Sequence, residues 1–301
     1  MTTSPSMRAR CWLAAFVAAF ATAAPCAPPR LDEAVLRASV SPGDGGARAD
    51  AIEVTVYRPD GAGPFPLVVL SHGSPRVAEE RRRAGRIRFE SQSRAFLAMG
   101  YAVAVPTRRG YGDSGGGWAE TYGSCAFPDY HRAGLETARD ILAALAAVRA
   151  LPGIDAGRVV FAGQSAGGFG SVAASTLDVP GLLAVVNFAG GRGSRGPNEV
   201  CGEDRLVDAM ALYGRAARAP QLWIYSANDL YFGPSLARRM HAAFVASGGK
   251  AEFLEAPATG GDGHGYFALV ADWAPRVKAF LGNAAAAPDS MLRVGNAPTV
   301  R

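Results

Sequence analysis

The sequence predicts an α/β fold built on a doubly wound, mostly parallel sheet. Three observations carry this reading. Strand-like and helix-like patterns alternate along most of the chain. The strand-like runs are short and nearly continuous in apolar residues, as expected of strands covered on both faces. The glycines, 37 among 301 residues, cluster at the ends of those runs.

Taken in order, residues 52–57 (IEVTVY) alternate apolar and polar side chains and predict a half-buried strand. Residues 66–71 (PLVVLS) form an apolar run that ends in His72-Gly73. Helical spacing follows over 89–99 and stops at Gly100, and 101–105 (YAVAV) is the next strand. The longest helix spans 131–150, with Ala138, Ile141, Leu142, Leu145 and Val148 on one face, and Leu151-Pro152-Gly153 ends it. Residues 158–162 (RVVFA) predict a strand and 166–176 a helix. Strands are expected at 183–188 and 221–225, with a helix at 204–213 between them. A helix at 234–247, a short strand at 251–254 and a last helix at 266–281 complete the series. Residues 41–50 read as a Gly-rich turn, and no internal repeat or linker divides the body.

The ends read differently. Arg8 and Arg10 precede an uncharged apolar stretch at 12–24 that is too short for a strong membrane anchor, followed by small residues. This pattern predicts a signal peptide over 1–24, cut near Ala24 or Ala27, and a secreted or periplasmic protein with no stable membrane span after its removal. Residues 28–282 are expected to form a single domain, and 283–301, rich in Ala and Pro, a loose tail. Cys11 leaves with the leader and Cys26 lies near the cut. Cys125 and Cys201 remain as an even pair, which suggests a disulfide in an oxidising compartment, the alternative being two buried free thiols.

Composition excludes several classes. At 49% hydrophobic and 19% charged, the chain is no disordered protein, collagen or disulfide-rich miniprotein. A net charge of +5 is too small an excess to argue for nucleic acid. No Cys/His spacing suggests a metal site. The arginine-rich run 81–88 (RRRAGRIR) reads as a solvated face, or as an entrance that attracts anionic substrates.

The chemistry concentrates at Gly163-Gln164-Ser165-Ala166-Gly167, a G-x-S-x-G motif that follows a strand and opens a helix. Side chains in place of its glycines would collide with neighbouring strand and helix in so sharp a turn. Ser165 is then the candidate nucleophile, and it requires a base. Of the four histidines, His264 sits in a Gly-rich loop (GGDGHG) after the last strand and is the expected base; His72, His131 and His241 are the others. Asp229, at the end of the strand 221–225, is the expected orienting carboxylate, with Asp262 and Asp208 as competitors. Donors to an oxyanion are expected from the backbone N–H of Ala166 and of Ser74, or of Gly73 in place of Ser74. His72, Gly73 and Tyr111 are possible pocket residues, with loop packing the alternative for Tyr111.

The pieces SHGSP, RRGYGDSGG, GQSAGG, YSANDLYFGP and GDGHGYF resemble the α/β-hydrolase superfamily, most closely its dienelactone-hydrolase-like branch and the esterase and peptidase-like relatives. The resemblance runs from about residue 52 to 281 and implies an α/β-hydrolase fold. It also implies a serine hydrolase with Ser165, Asp229 and His264 as triad and without a cofactor. The best-known dienelactone hydrolases carry a cysteine where this chain has Ser165, which turns the expectation from dienelactones to other esters. Residues 190–219, where many relatives insert a lid, are few here, so a small, fixed rim or no lid is expected. The expected substrate is a small-molecule carboxylic ester, with a peptidase or amidase as alternative. A non-catalytic binding protein on the same scaffold is the reading of a different class. The sequence contains no stretch resembling a propeller that would restrict access to peptides, which tilts the expectation to esters.

Overall fold

The computed structural model describes residue 1, residues 31–41 and residues 49–286. The expected leader and most of the expected tail lie outside the described residues, as do residues 42–48 of the expected turn at 41–50. The body starts with β1 (Glu33–Val40), β2 (Asp50–Tyr57) and β3 (Phe65–Ser71), then α1 (Ala78–Arg83), α2 (Glu90–Ala98) and β4 (Ala102–Thr107). The helix α3 (Tyr130–Arg149), β5 (Ile154–Gln164), α4 (Ala166–Ala174) and β6 (Leu182–Phe188) form the centre. A small hairpin follows, β7 (Ser194–Gly196) and β8 (Glu199–Val200). The chain continues through α5 (Glu203–Ala216), β9 (Gln221–Ser226), α6 (Pro234–Ala246) and β10 (Ala251–Ala256) to α7 (Val270–Ala286).

Eight strands form one sheet in the order β1-β2-β4-β3-β5-β6-β9-β10. The pairs β1/β2 and β2/β4 are antiparallel, and every later pair is parallel. This is the doubly wound α/β-hydrolase architecture. One core lies between the sheet and α3 to α6, with Phe161, Phe169, Trp223 and Phe244 in it. The other lies under α2 and α7, with Phe96, Phe188, Trp273 and Phe280. The inner strands are buried along nearly their whole length, which is why their sequences read as continuous apolar runs.

Local chemistry sets the helix ends. Asp129 caps α3 by accepting the N–H of Arg132. Pro234 occupies the first turn of α6, where its missing N–H costs nothing.

The structure corrects the expected elements in a few places. β1 is an edge strand whose burial is confined to its last residues, and its weak alternation hid it. The expected helix at 266–281 starts later: residues Gly263–Ala268 form a 3-10 helix, and α7 runs from Val270 past Leu281 to Ala286, into the expected tail. The Arg81–Arg88 run is neither a single face nor a single loop. Arg82 and Arg83 pair with Glu79 on α1, whereas Arg86 and Arg88 converge on Glu33 of β1.

Candidate active site

Parallel strands β3, β5, β9 and β10 all end on the same edge of the sheet, and the candidate residues follow those ends. Ser165 stands between β5 and α4 with φ 56° and ψ −122°, a strained conformation for a residue other than glycine. Its N–H donates to Phe188 O at 2.8 Å, and its carbonyl accepts from Phe169 N at 2.9 Å. The flanking glycines are sterically required. A Cβ on Gly163 would lie 2.5 Å from the Gly167 carbonyl carbon, and one on Gly167 would lie 2.2 Å from Ser71 O. The elbow therefore presses against both its own helix and the end of β3.

Asp229 and His264 meet across two loops. The Nδ1–H of His264 donates to Asp229 Oδ2 at 3.0 Å. Asp229 is almost wholly buried, and its Oδ1 accepts from Tyr231 N at 2.7 Å and Phe232 N at 2.9 Å, so the carboxylate is fixed from both sides. The His264 ring stacks on Tyr231, with centroids 3.9 Å apart. Asp262, the nearest competitor of Asp229 in sequence, serves the loop instead: its Oδ1 accepts from His264 N and Leu230 N. Gln164, which the motif leaves unspecified, donates through Nε2 to His264 O at 3.1 Å and ties the histidine loop to the elbow. Asp208 lies on α5, His131 stacks on Tyr213, and His241 packs against Trp223 and Phe253.

The loop after β3 crosses directly over the elbow: a Cβ on Gly73 would lie 3.2 Å from Ser165 Cβ. Two cavities meet at Ser165. One, of about 70 Å³, is lined by Ser74, Ala166, Arg76, Arg81 and Arg192 among others. The second, of about 300 Å³, is lined by His72, Gly73, Tyr111, Ile87, Phe89 and His264. Ser165 and Ser74 line both cavities, Ala166 the smaller one and His264 the larger one. Ala166 opens α4, where a helix leaves its first N–H groups without intrahelical acceptors. Tyr111 borders the larger cavity and is fully buried, its hydroxyl donating to Glu120 and its ring edge-on to His72.

Beneath this space lies a charged network that the sequence reading missed. Glu120 is buried and pairs with Arg108 (Nε 2.8 Å) and Arg192 (Nη2 2.8 Å), and it also accepts from Thr137 at 2.7 Å. Burial alone would raise the Glu120 pKa, but the two guanidinium groups overcome it and hold the carboxyl well below the usual range. Arg108 in turn donates to Ser71 Oγ and His72 O, which anchors the loop over the elbow. Burial, helped by Arg108, pulls His72 down to about 3. Its Nε2 accepts from Arg108 N at 3.2 Å, so the proton sits on Nδ1 and donates to Gly73 O. His72 is therefore a neutral brace. Arg108 stood in plain view in RRGYGDSGG, but nothing in the sequence pairs it, or the distant Arg192, with Glu120.

Cys125 and Cys201 form a disulfide, with Cα atoms 4.9 Å apart. It joins the segment after β4 to the end of the β7–β8 hairpin. Tyr122 on one side and Gly191 to Ser194 on the other line the smaller cavity. Among the described residues no cluster of side chains could hold a metal ion, and no helix is long and apolar enough to cross a membrane.

The family model for X-Pro dipeptidyl-peptidase (S15 family) matches residues 44–237. No curated protein matches the sequence. The fold is similar to that of an acylaminoacyl peptidase of Pyrococcus horikoshii, at 18% identity and a TM-score of 0.58 over 84% of this chain and 41% of that one. It is similar to an esterase of Pyrococcus furiosus at 14% identity and a TM-score of 0.58, covering 84% of this chain and 93% of the esterase. A puromycin-hydrolyzing peptidase of Mycobacterium tuberculosis matches at 19% identity and a TM-score of 0.56, over 84% of this chain and 40% of the peptidase. The chain thus spans about two-fifths of the length of the two peptidases.

Proposed function

Because this chain belongs to the X-Pro dipeptidyl-peptidase (S15) family of α/β-hydrolase-fold serine hydrolases, we propose that it uses Ser165, His264 and Asp229 to cleave carboxylic esters through an acyl-enzyme. One observation carries the reading. A serine on a strained elbow shares a cavity with a histidine whose other nitrogen is held by a buried, fully hydrogen-bonded aspartate. In this reading Ser165 Oγ attacks the ester carbonyl while His264 Nε2 takes its proton. Asp229 fixes the tautomer and stabilises the imidazolium. The N–H groups of Ala166 and Ser74 receive the oxyanion. His264 then protonates the departing alcohol, and water cleaves the acyl-enzyme with the same groups in reverse order. No metal or cofactor enters this scheme. The disulfide supports an exported, secreted or periplasmic protein.

The family match itself favours a second reading, cleavage of an amide bond by the same groups. Hydrolysis of p-nitrophenyl butyrate and of an Xaa-Pro p-nitroanilide, by wild type and by Ser165→Ala, tests both. The expected result is ester turnover that falls by about 10³-fold or more in the variant. Anilide turnover without ester turnover would replace the ester reading by the peptidase one. Equal turnover in the variant would remove Ser165 from the mechanism.

A further inference from the structure

The smaller cavity beside Ser165 is cationic. It is lined by Arg76, Arg81 and Arg192 and, among the described residues, by no carboxylate. The Arg81–Arg88 run makes the contrast sharp. Arg82, Arg83, Arg86 and Arg88 are all ion-paired, to Glu79, Glu33 or Glu90. Arg81 is held by the face of Trp118, 3.8 Å from its ring centroid, and by the carbonyl of Pro75. Arg76 lies over the Tyr231 ring at 3.5 Å and donates to Ser194 Oγ and Gly196 O. Neither guanidinium has a carboxylate within ion-pair distance among the described residues. Arg192 is buried, shares Glu120 with Arg108, and keeps an Nε–H with no acceptor among the described residues. Arginines ordered by aromatic faces and backbone carbonyls retain an uncompensated charge, and their planar forks match a carboxylate.

The two cavities also divide the substrate. His264 borders the larger one, and the group that His264 protonates is the leaving alcohol, so the alcohol belongs there. The acyl chain then extends to the other side of Ser165, past Ala166 and into the cationic cavity. A volume of about 70 Å³ holds a short chain. Resting on the esterase reading, we infer that the preferred substrates are monoesters of short dicarboxylic acids, whose free carboxylate is received by Arg76 and Arg81 with Arg192 behind them. The same cavity disfavours the free ammonium of a peptide N-terminus, because it offers cations where that group needs an anion.

The test compares mono-p-nitrophenyl glutarate with the neutral p-nitrophenyl butyrate. The measured quantity is the ratio of kcat/KM for the anionic ester to that for the neutral one. It is expected to exceed unity by about tenfold or more, to fall by a similar factor in Arg76→Met and Arg81→Met, and to recover in part in Arg81→Lys. It should also shrink as salt is raised. Both arginines are only half-buried, so the substitutions leave no unpaired buried charge. Calorimetric titration of Ser165→Ala with glutarate and with butyrate reads the subsite without turnover, and glutarate is expected to bind about tenfold more tightly. Turnover of the neutral ester with no anionic preference overturns the subsite and leaves the esterase reading standing. Turnover of neither ester overturns the esterase reading, and equal binding of glutarate and butyrate then overturns the subsite as well.

Discussion

Asp229 divides its carboxylate between two tasks, which makes a one-atom change informative. Oδ1 satisfies two backbone N–H groups and Oδ2 faces His264 Nδ1. Asp229→Asn keeps an oxygen for the backbone but turns an NH₂ toward Nδ1. The imidazole must then carry its proton on Nε2, where it cannot accept one from Ser165. Turnover of p-nitrophenyl butyrate is expected to fall by about 10⁴-fold with the fold retained by circular dichroism. A fall of less than about tenfold would mean that Asp229 only supports the loop. The three proposed triad residues were legible in the sequence because each follows a strand that an apolar run marks, and strand ends converge by topology. Arg76, Arg192 and Glu120 were not legible. Their meeting depends on how the segments 72–76, 108–122 and 190–194 return over the sheet edge, and no periodicity encodes that path.

Elements show the same division. The strands β3 to β6 and β9 and the helices α3, α4 and α6 were legible because long apolar faces or glycine stops define them. The elements β1, α1, β7 and β8 were not, being short or exposed and given shape by their partners. The β7–β8 hairpin gains its hold from Cys201, whose N–H donates to Gly193 O at 2.9 Å and whose carbonyl accepts from Tyr130 Oη. The disulfide to Cys125 thus clamps two walls of the smaller cavity, while Ser165, Asp229 and His264 stand on other elements. Removing it as Cys125→Ser with Cys201→Ser should lower unfolding free energy in urea by up to about 4.5 kcal/mol, the loop-closure value for a span of 76 residues. Ester hydrolysis should lose more in KM than in kcat, because the pocket wall loosens and the reacting groups stay in place. A selective loss of kcat would show instead that the bond positions the elbow.

At the scale of the whole molecule, the sheet order follows from alternating strands and helices and places the site on one edge, whereas the buried charges beneath that edge govern how stability responds to acid. Stability rises with pH wherever the unfolded chain binds more protons than the folded one. His72 moves from 6.5 to about 3 on folding, so between these values the unfolded chain is protonated and the fold is not, and stability falls as pH drops. Glu33, lowered to about 2 by hydrogen bonds from Arg86 and Arg88 against its own desolvation, and Glu120, held low by its arginines, act in the same direction below about pH 4.5. Asp140 opposes them: burial outweighs its bonds to Arg109 and raises it from 3.8 to about 6, so stability contributed by its protonation grows as pH falls through 6 and saturates below 3.8. The net profile is therefore shallow from pH 6.5 to about 4.5, where His72 and Asp140 offset each other, steeper below 4.5 as Glu33 and Glu120 join the losses, and steepest below 3.8, where Asp140 has saturated and only losses remain. Urea unfolding at a series of pH values reads this curve. His72→Gln retains an acceptor for the Arg108 N–H and removes the titration, so its stability should increase as pH is lowered from 6.5 to 5. A variant profile parallel to wild type would show that His72 is not held neutral in the fold.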